Sequence, residues 1–357
     1  MLDQYKILAI NPGSTSTKIA VYCNEQKEFE QIIRHSTEEL SKFVRIYDQY
    51  DYRRQLVEAA LATHNLKICD LAAVVGRGGP LKPMASGTYR VNEAMAQDLK
   101  VGVQTEHASN LGGLLARGLA GQTGIPSFIV DPVSVDELEP IARITGLPEI
   151  SRRSLFHALN LKAVAHRVAG DLDKDYAALT LVLVHLGGGI SVGIQQHGRM
   201  IDVTNPNDAG PFSPERAGGL PSHALITMCF GGEYTLAAMK KKLVGQAGLV
   251  AHLGTNDGRE IEDRIKNGDT KAALIYEAMA YQVAKEIGAM ATVVRGRLDA
   301  IVLTGGLAHS KLLTNMICER VAFISQVLVY PGEDECAALA AGALRILRGE
   351  EKAKIYE

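Results

Sequence analysis

Read for the spacing of its apolar positions, the chain falls into two series. In the first, short runs rich in Val, Ile and Leu ("KILAI", "KIAVY", "LAAVV", "PSFIVD") are separated by stretches of helical period, one from about Glu38 to His64 and one after Ser109. The second contains "LTLVLVHLGGG", "ISVGIQQ" and "MIDVT", and a helix-rich stretch from about Ser222 to Arg295. It closes with "AIVLTGG", a helix from Lys311, "QVLVY" and a last helix from Asp334 to Arg348. Strands alternating with helices make this an α/β protein. "TGLPEIS" combines turn residues with a serine suited to capping a helix, which puts a domain boundary near Leu147 to Ser151. The series open alike, because Gly13 to Thr17 and Gly187 to Ser191 each lie between strand-like runs. Two related halves are expected, each beginning with a glycine-tight hairpin, and a cleft between two like domains is the expected binding site.

Composition narrows the function classes. With 357 residues, 46% of them hydrophobic, the chain can bury a sizeable core, and its length favours two domains. A formal charge of −2 with interspersed signs offers no basic stripe for a nucleic-acid backbone. Five scattered cysteines, none in a C-x-x-C spacing, argue against a disulfide framework or a cysteine-rich zinc site, and ten histidines give no H-E-x-x-H. No apolar run reaches the ~18 residues of a membrane helix. A soluble protein of a reducing cytoplasm, without nucleic-acid or membrane partners, is the expectation.

The chemistry sits in the glycine turns. "GSTSTK" (Gly13 to Lys18) begins like a phosphate loop, but it lacks the second glycine and runs into a strand where a helix should follow. A hairpin turn instead offers backbone N–H groups and the hydroxyls of residues such as Ser14 and Ser16, which can donate to phosphate oxygens. "HLGGGIS" (His185 to Ser191) follows the most apolar strand, and Gly187, Gly188 and Gly189 lose backbone entropy there unless something must approach closely. In "LTGGLAHS", Gly305, Gly306 and Leu307 end a strand and enter a helix, where a flat ring or phosphate can lie on backbone. "ALAAGAL" puts small residues along one helix, the mark of close helix packing.

These turns, in this order, resemble the five-part nucleotide site of the acetate and sugar kinase, heat-shock chaperone and actin superfamily. With "VVGRGGPLKP", "HASNLGGLLA", "SRRSLFHALN", "NPNDAGPFSPERAGGLP" and "VYPGEDECAALAAGAL", the match runs from Ile7 to about Leu347 and is similar to the carboxylate kinases of the acetokinase family, the butyrate kinases above all. The resemblance implies two ribonuclease-H-like domains facing a central cleft, residues 1–150 joined by the final helix 334–357, and 151–333 as the nucleotide-binding domain. It implies ATP and a short-chain carboxylate as substrates, Mg²⁺ as cofactor, direct in-line phosphoryl transfer and a homo-oligomer.

A carboxylate kinase must bring two anions together, so it needs cations where they meet. Arg77 in "GRGGP" and Arg216 in "SPERAGG" are the candidates, with Arg152, Arg153 and Lys18 behind them. The glycines flanking Arg77 would let its backbone enter the cleft. Acetate kinases carry the corresponding arginine two places earlier, in H-R-V-V-H-G-G. His157 matches the first histidine of their F-H-G-T-S-H, while the second falls near Leu161; the implied role is a hydrogen bond to the moving phosphoryl group. Asp131 ends a strand and Glu335 starts the last helix, both suited to Mg²⁺ chemistry, with Glu333 and Asp334 competing for the place of Glu335. Asn11 resembles the asparagine that the family keeps near the metal and terminal phosphate.

Overall fold

The computed structural model describes residues 4–357, which fold as two compact units, one of 4–135 with 334–357 and one of 136–333. In the first, β1 (Lys6–Pro12), β2 (Ser16–Cys23) and β3 (Gln26–Arg34) form an antiparallel meander. Strands β4 (Ala73–Arg77) and β6 (Ser127–Val130) follow parallel to β1, and β5 (Thr88–Arg90) adds an antiparallel edge, giving the order β3-β2-β1-β4-β6-β5. In the second unit, β7 (Thr180–Leu186), β8 (Ile190–Gln196) and β9 (Arg199–Val203) repeat the meander. There β10 (Ala300–Gly305) and β11 (Val327–Pro331) run parallel to β7 in the order β11-β10-β7-β8-β9. Setting β5 aside, the two sheets have one connectivity, so the likeness of the two glycine hairpins extends to the whole topology. This is the ribonuclease-H-like α/β arrangement in both units.

Local sequence explains most elements. All seven residues of β7 are buried, because the helices Ala158–Asp171 and Thr270–Val293 both pack on that strand. The longer helix buries Tyr276, Met279, Val283 and Ile287, a stripe of spacing three and four. Glu335–Leu347 lies against β1, β4 and β6 of its own unit; a Cβ on Gly342 would come within 2.6 Å of Val130, which accounts for the small-residue stripe. Among the described residues no helix is long and apolar enough to cross a membrane.

Three expectations change. The helical stretch from Glu38 is two pieces, Thr37–Leu40 and Tyr50–Thr63. Ser151 caps no helix: it bridges Ile144, and the helix begins at Ala158. The changeover between units falls at Val135/Asp136 rather than near Ser151. One buried carboxylate accounts for that shift: Glu137 accepts from Lys162 Nζ at 2.8 Å and from Met200 N–H at 2.8 Å, so the chain belongs to the second unit from that point on.

Candidate active site

Strands β1 and β4 pair Ile10 with Gly76, so Asn11 and Arg77 emerge side by side at the ends of parallel strands, where the helix Glu335–Leu347 begins. Arg77 Nη1 lies 2.7 and 2.8 Å from the two Glu335 oxygens, and 3.4 Å from Asn11 Oδ1. Asn11 Nδ2 donates to Glu335. Among the described residues only Nη1 of Arg77 is engaged this way, which leaves Nη2 and Nε as donors to an anion. The three consecutive acids are separated by their partners. Asp334 caps the helix through Ala337 N–H and pairs with Lys27 at 2.9 Å, whereas Glu333 Oε2 lies 3.7 Å from His185 Nε2 in the second unit. Glu335 alone of the three meets Arg77 and Asn11. The glycines beside Arg77 are filled by the unit's own atoms: a Cβ on Gly76 would stand 2.0 Å from Gly112 O, and one on Gly79 2.1 Å from Asn110. They serve the packing of the helix Asn110–Ala120 against β4.

The β1–β2 turn carries Gly13, Ser14 and Thr15 beside this cluster, closed by Gly13 N–H to Ser16 O at 2.7 Å. Ser14 and Thr15 are exposed and Ser16 half-buried. A Cβ on Gly13 would make only ordinary contacts, 3.5 Å to the nearest atom, so the unit itself does not demand glycine there. Asp131 is buried at the end of β6 with φ +39° and accepts Gly87 N–H at 2.6 Å, an engagement that accounts for a buried carboxylate without chemistry. Lys18 pairs with Glu30 at 3.4 Å.

In the second unit, His157 stands at the head of the helix Ala158–Asp171. Its ring stacks on that of His185, with centroids 3.8 Å apart and planes at 13°, and its Nδ1 lies 3.0 Å from Ser191 Oγ. His185 Nδ1 is 2.9 Å from Asn160 Oδ1. Arg216 packs its guanidinium on the triple-glycine turn, where a Cβ on Gly189 would come within 2.5 Å of Cζ and Nη1. Burial holds Arg216 below the ordinary arginine pKa, and its guanidinium donates to no carboxylate among the described residues. Gly187 leaves room for the His185 ring, whereas a Cβ on Gly188 would make only an ordinary contact with the Glu215 carboxylate at 3.6 Å. Gly305 has φ +92°, and its missing Cβ makes way for Leu186 backbone at 2.4 Å; Gly306 is exposed with nothing within 4 Å of a Cβ. Leu307 packs on Gly258. Arg152 is held by Asp202 at 2.9 Å, while exposed Arg153 lines a 550 Å³ cavity with Glu149 and Asp208.

Two groups escaped the sequence reading. Burial, reinforced by the nearby Arg77 charge, lowers the pKa of His107, of "HASNLGG", and its Nδ1 accepts Ser109 N–H. Arg53 is wholly buried beneath the first hairpin turn. It shares a helical stripe with Val57, Ala60 and Leu61, and an arginine in that apolar register was the available signal. For a cation, Asn11 and Glu335 offer an amide and a carboxylate oxygen, a hard donor set that suits a Mg²⁺ ion keeping its waters and phosphate oxygens. Among the described residues no cluster of three His, Cys, Asp or Glu could hold a metal.

Residues 148–328 match the acetokinase family, and the chain belongs to that family. The fold is that of solved acetate and propionate kinases. The acetate kinase of Porphyromonas gingivalis matches 96% of this chain and 100% of its own at a TM-score of 0.81 and 19% identity. The acetate kinase of Entamoeba histolytica gives 0.76 and 18%, over 94% and 98% of the two chains. A propionate kinase from Francisella tularensis gives 0.74 and 18%, over 95% and 98%. Membership makes the protein an ATP-dependent phosphotransferase with a carboxyl-group acceptor.

Gly305 and Gly306, at the end of β10 and just beyond it, should separate packing from ligand. Gly305→Ala meets backbone and is expected to cost ~1–3 kcal/mol of stability. Gly306→Leu meets nothing, so its thermal midpoint should stay with the parent while the ATP dissociation constant rises about tenfold or more. Calorimetric titration and thermal melts read both; an unchanged constant removes this turn from the nucleotide site.

Proposed function

We propose that the protein phosphorylates a short-chain fatty acid, ATP + butyrate giving ADP + butyryl phosphate, by direct in-line transfer. The observation that carries the reading is Arg77, joined to Glu335 and Asn11 at the strand ends beside an anion-ready turn, in a chain of this family. Butyrate rather than acetate rests on the motifs "VVGRGGPLKP", "SRRSLFHALN" and "NPNDAGPFSPERAGGLP". Isobutyrate is the second choice, because one methyl in an apolar pocket changes binding by only ~1–3 kcal/mol.

The acid is ionised near neutral pH and needs no base, so the work is the approach of two anions. Arg77 and Arg216 neutralise the phosphoryl oxygens, which gain from a fixed guanidinium most when charge spreads over them in the transition state. His157, oriented by its stack on His185 and by Ser191, hydrogen-bonds the transferring group. The turn of Gly13, Ser14 and Ser16 receives the terminal phosphate. Gly187 to Gly189, with Gly305, Gly306 and Leu307, receive the rest of the nucleotide. Asp131 acts through the loop it closes at Gly87. Asn11 and Glu335 would hold Mg²⁺, which when bound supplies charge neutralisation at the phosphates.

Five free cysteines suit a reducing cytoplasm. A second copy of the chain is the expected partner of the helix Ser222–Phe230, which is apolar yet has no buried residue, with Ile226 and Phe230 exposed. Light scattering should give a multiple of 38.4 kDa, and Phe230→Glu should return the monomer mass.

Trapping acyl phosphate with hydroxylamine across acetate, propionate, butyrate, isobutyrate and valerate tests the substrate. Butyrate should give the highest kcat/KM, and ADP release without hydroxamate from any acid would mark a bare ATPase. Arg77→Ala and Arg216→Ala should each lower kcat on the order of 10²-fold with little change in ATP affinity, and lysine should restore only part. Parent-like kcat with a lowered melting temperature would make both arginines structural.

A further inference from the structure

Arg53 is 0% exposed, and no carboxylate accepts from it among the described residues. Its guanidinium is solvated by neutral oxygens. Nη1 donates to Gly13 O at 2.9 Å, Ser16 O at 3.2 Å and Thr17 Oγ1 at 3.0 Å, and Nη2 donates to Ser14 O at 3.3 Å. Gln49 Oε1 accepts from Nε at 3.1 Å and Nη2 at 2.8 Å. Thr17 Oγ1, which accepts from Arg53, also lies 2.9 Å from His35 Nε2. Burial lowers the pKa of His35 to about 4 and that of Arg53 to about 10, which leaves the arginine charged at neutral pH.

The consequence lies on the other side of the turn. In a trans peptide the N–H points opposite the preceding C=O. With the carbonyls of Gly13 and Ser14 drawn down onto Arg53, the N–H groups of Ser14 and Thr15 face away from it, on two exposed residues, and neither donates to any of the described residues. The turn therefore presents two free donors above an uncompensated positive charge, the two ingredients of an anion site. Resting on the phosphoryl-transfer reading above, we propose that Arg53 is a positioning residue for the terminal phosphate. It acts through the β1–β2 turn, fixing its peptides and supplying a positive potential from below without touching the nucleotide.

The discriminating variant is Gln49→Glu. It is isosteric, keeps both acceptor contacts and gives Arg53 a carboxylate, so the turn stays tied while the charge beneath it is neutralised. Binding of ATP and of AMP alone, measured by calorimetry, reads the effect whatever acid the enzyme uses. Gln49→Glu should keep or raise the melting temperature, weaken ATP about tenfold and leave AMP, which lacks the terminal phosphates, within about twofold. Arg53→Lys, which keeps the charge but lacks the planar fork, should bind ATP better than Gln49→Glu and turn over more slowly than the parent. Equal weakening of ATP and AMP, or parent-like ATP binding and kcat in Gln49→Glu, would overturn the proposal and leave Arg53 a structural staple. A parent that binds ATP but forms no acyl phosphate would sink the kinase reading and leave this comparison standing.

Discussion

A guanidinium sealed from water without a carboxylate is destabilising unless its five N–H groups are satisfied and its charge is spread over dipoles. In the first unit the hairpin turn meets that demand, with three backbone carbonyls, a threonine hydroxyl and one glutamine oxygen gathered onto Arg53. The shape of the turn follows, because carbonyls committed inward leave the neighbouring amides outward. The second unit solves a related problem differently. Arg216 keeps its guanidinium half-buried against the triple-glycine turn, with Gly189 supplying the room that a side chain would take. Each hairpin thus has one arginine beside it with no carboxylate partner among the described residues.

The glycines sort by what would occupy a side chain's place. Gly76, Gly112, Gly305 and Gly342 each have protein atoms within 2.6 Å of the missing Cβ, so the fold alone requires them. Gly306 faces open space, and Gly13 and Gly188 would meet only ordinary contacts, at 3.5 and 3.6 Å. An internal packing argument cannot explain this second set. They fall in the three turns whose composition pointed to phosphate or nucleotide, which separates the turns' proposed ligand role from the packing role of glycines one or two residues away.

Much of this was legible in the sequence. Period and composition located β1, β2, β4 and β6 to β11, because those strands are rich in branched residues and, β11 apart, largely buried. Strand β3, "QKEFEQIIR", escaped because it is an edge strand with charged, exposed positions. The boundary was misplaced for a related reason. "TGLPEIS" is a true turn, with Thr145 Oγ1 donating to Leu147 O and Ile150 O, but it lies inside the second unit. The changeover depends on Glu137 meeting Lys162, a contact no local pattern records. The cations split the same way: Arg77 and Arg216 stand beside glycines and drew attention, whereas Arg53 sits in a plain helix and is visible only as a charge in an apolar register.

The run Glu333, Asp334, Glu335 marks where composition stops being informative. Three adjacent carboxylates suggest one metal site, yet backbone geometry assigns them three tasks. Asp334 has the capping position, and its acceptor geometry is taken up by Ala337 N–H and Lys27. Glu335, the first helical residue, meets the ends of β1 and β4, because the helix packs on those strands. Glu333 precedes the helix and lies by the His185 ring. Helix capping therefore sorts the acids before any ligand is considered, since a side chain committed to the helix N-terminus is not free to swing toward an ion. Of the three, only Glu335 shares its carboxylate with a guanidinium and an amide at a strand end, a setting in which a phosphate-bound cation and Arg77 would compete for the same oxygens. That competition links the carboxylate to both charges of the proposed reaction: drawing Glu335 toward a metal would release Arg77 Nη1 toward an anion.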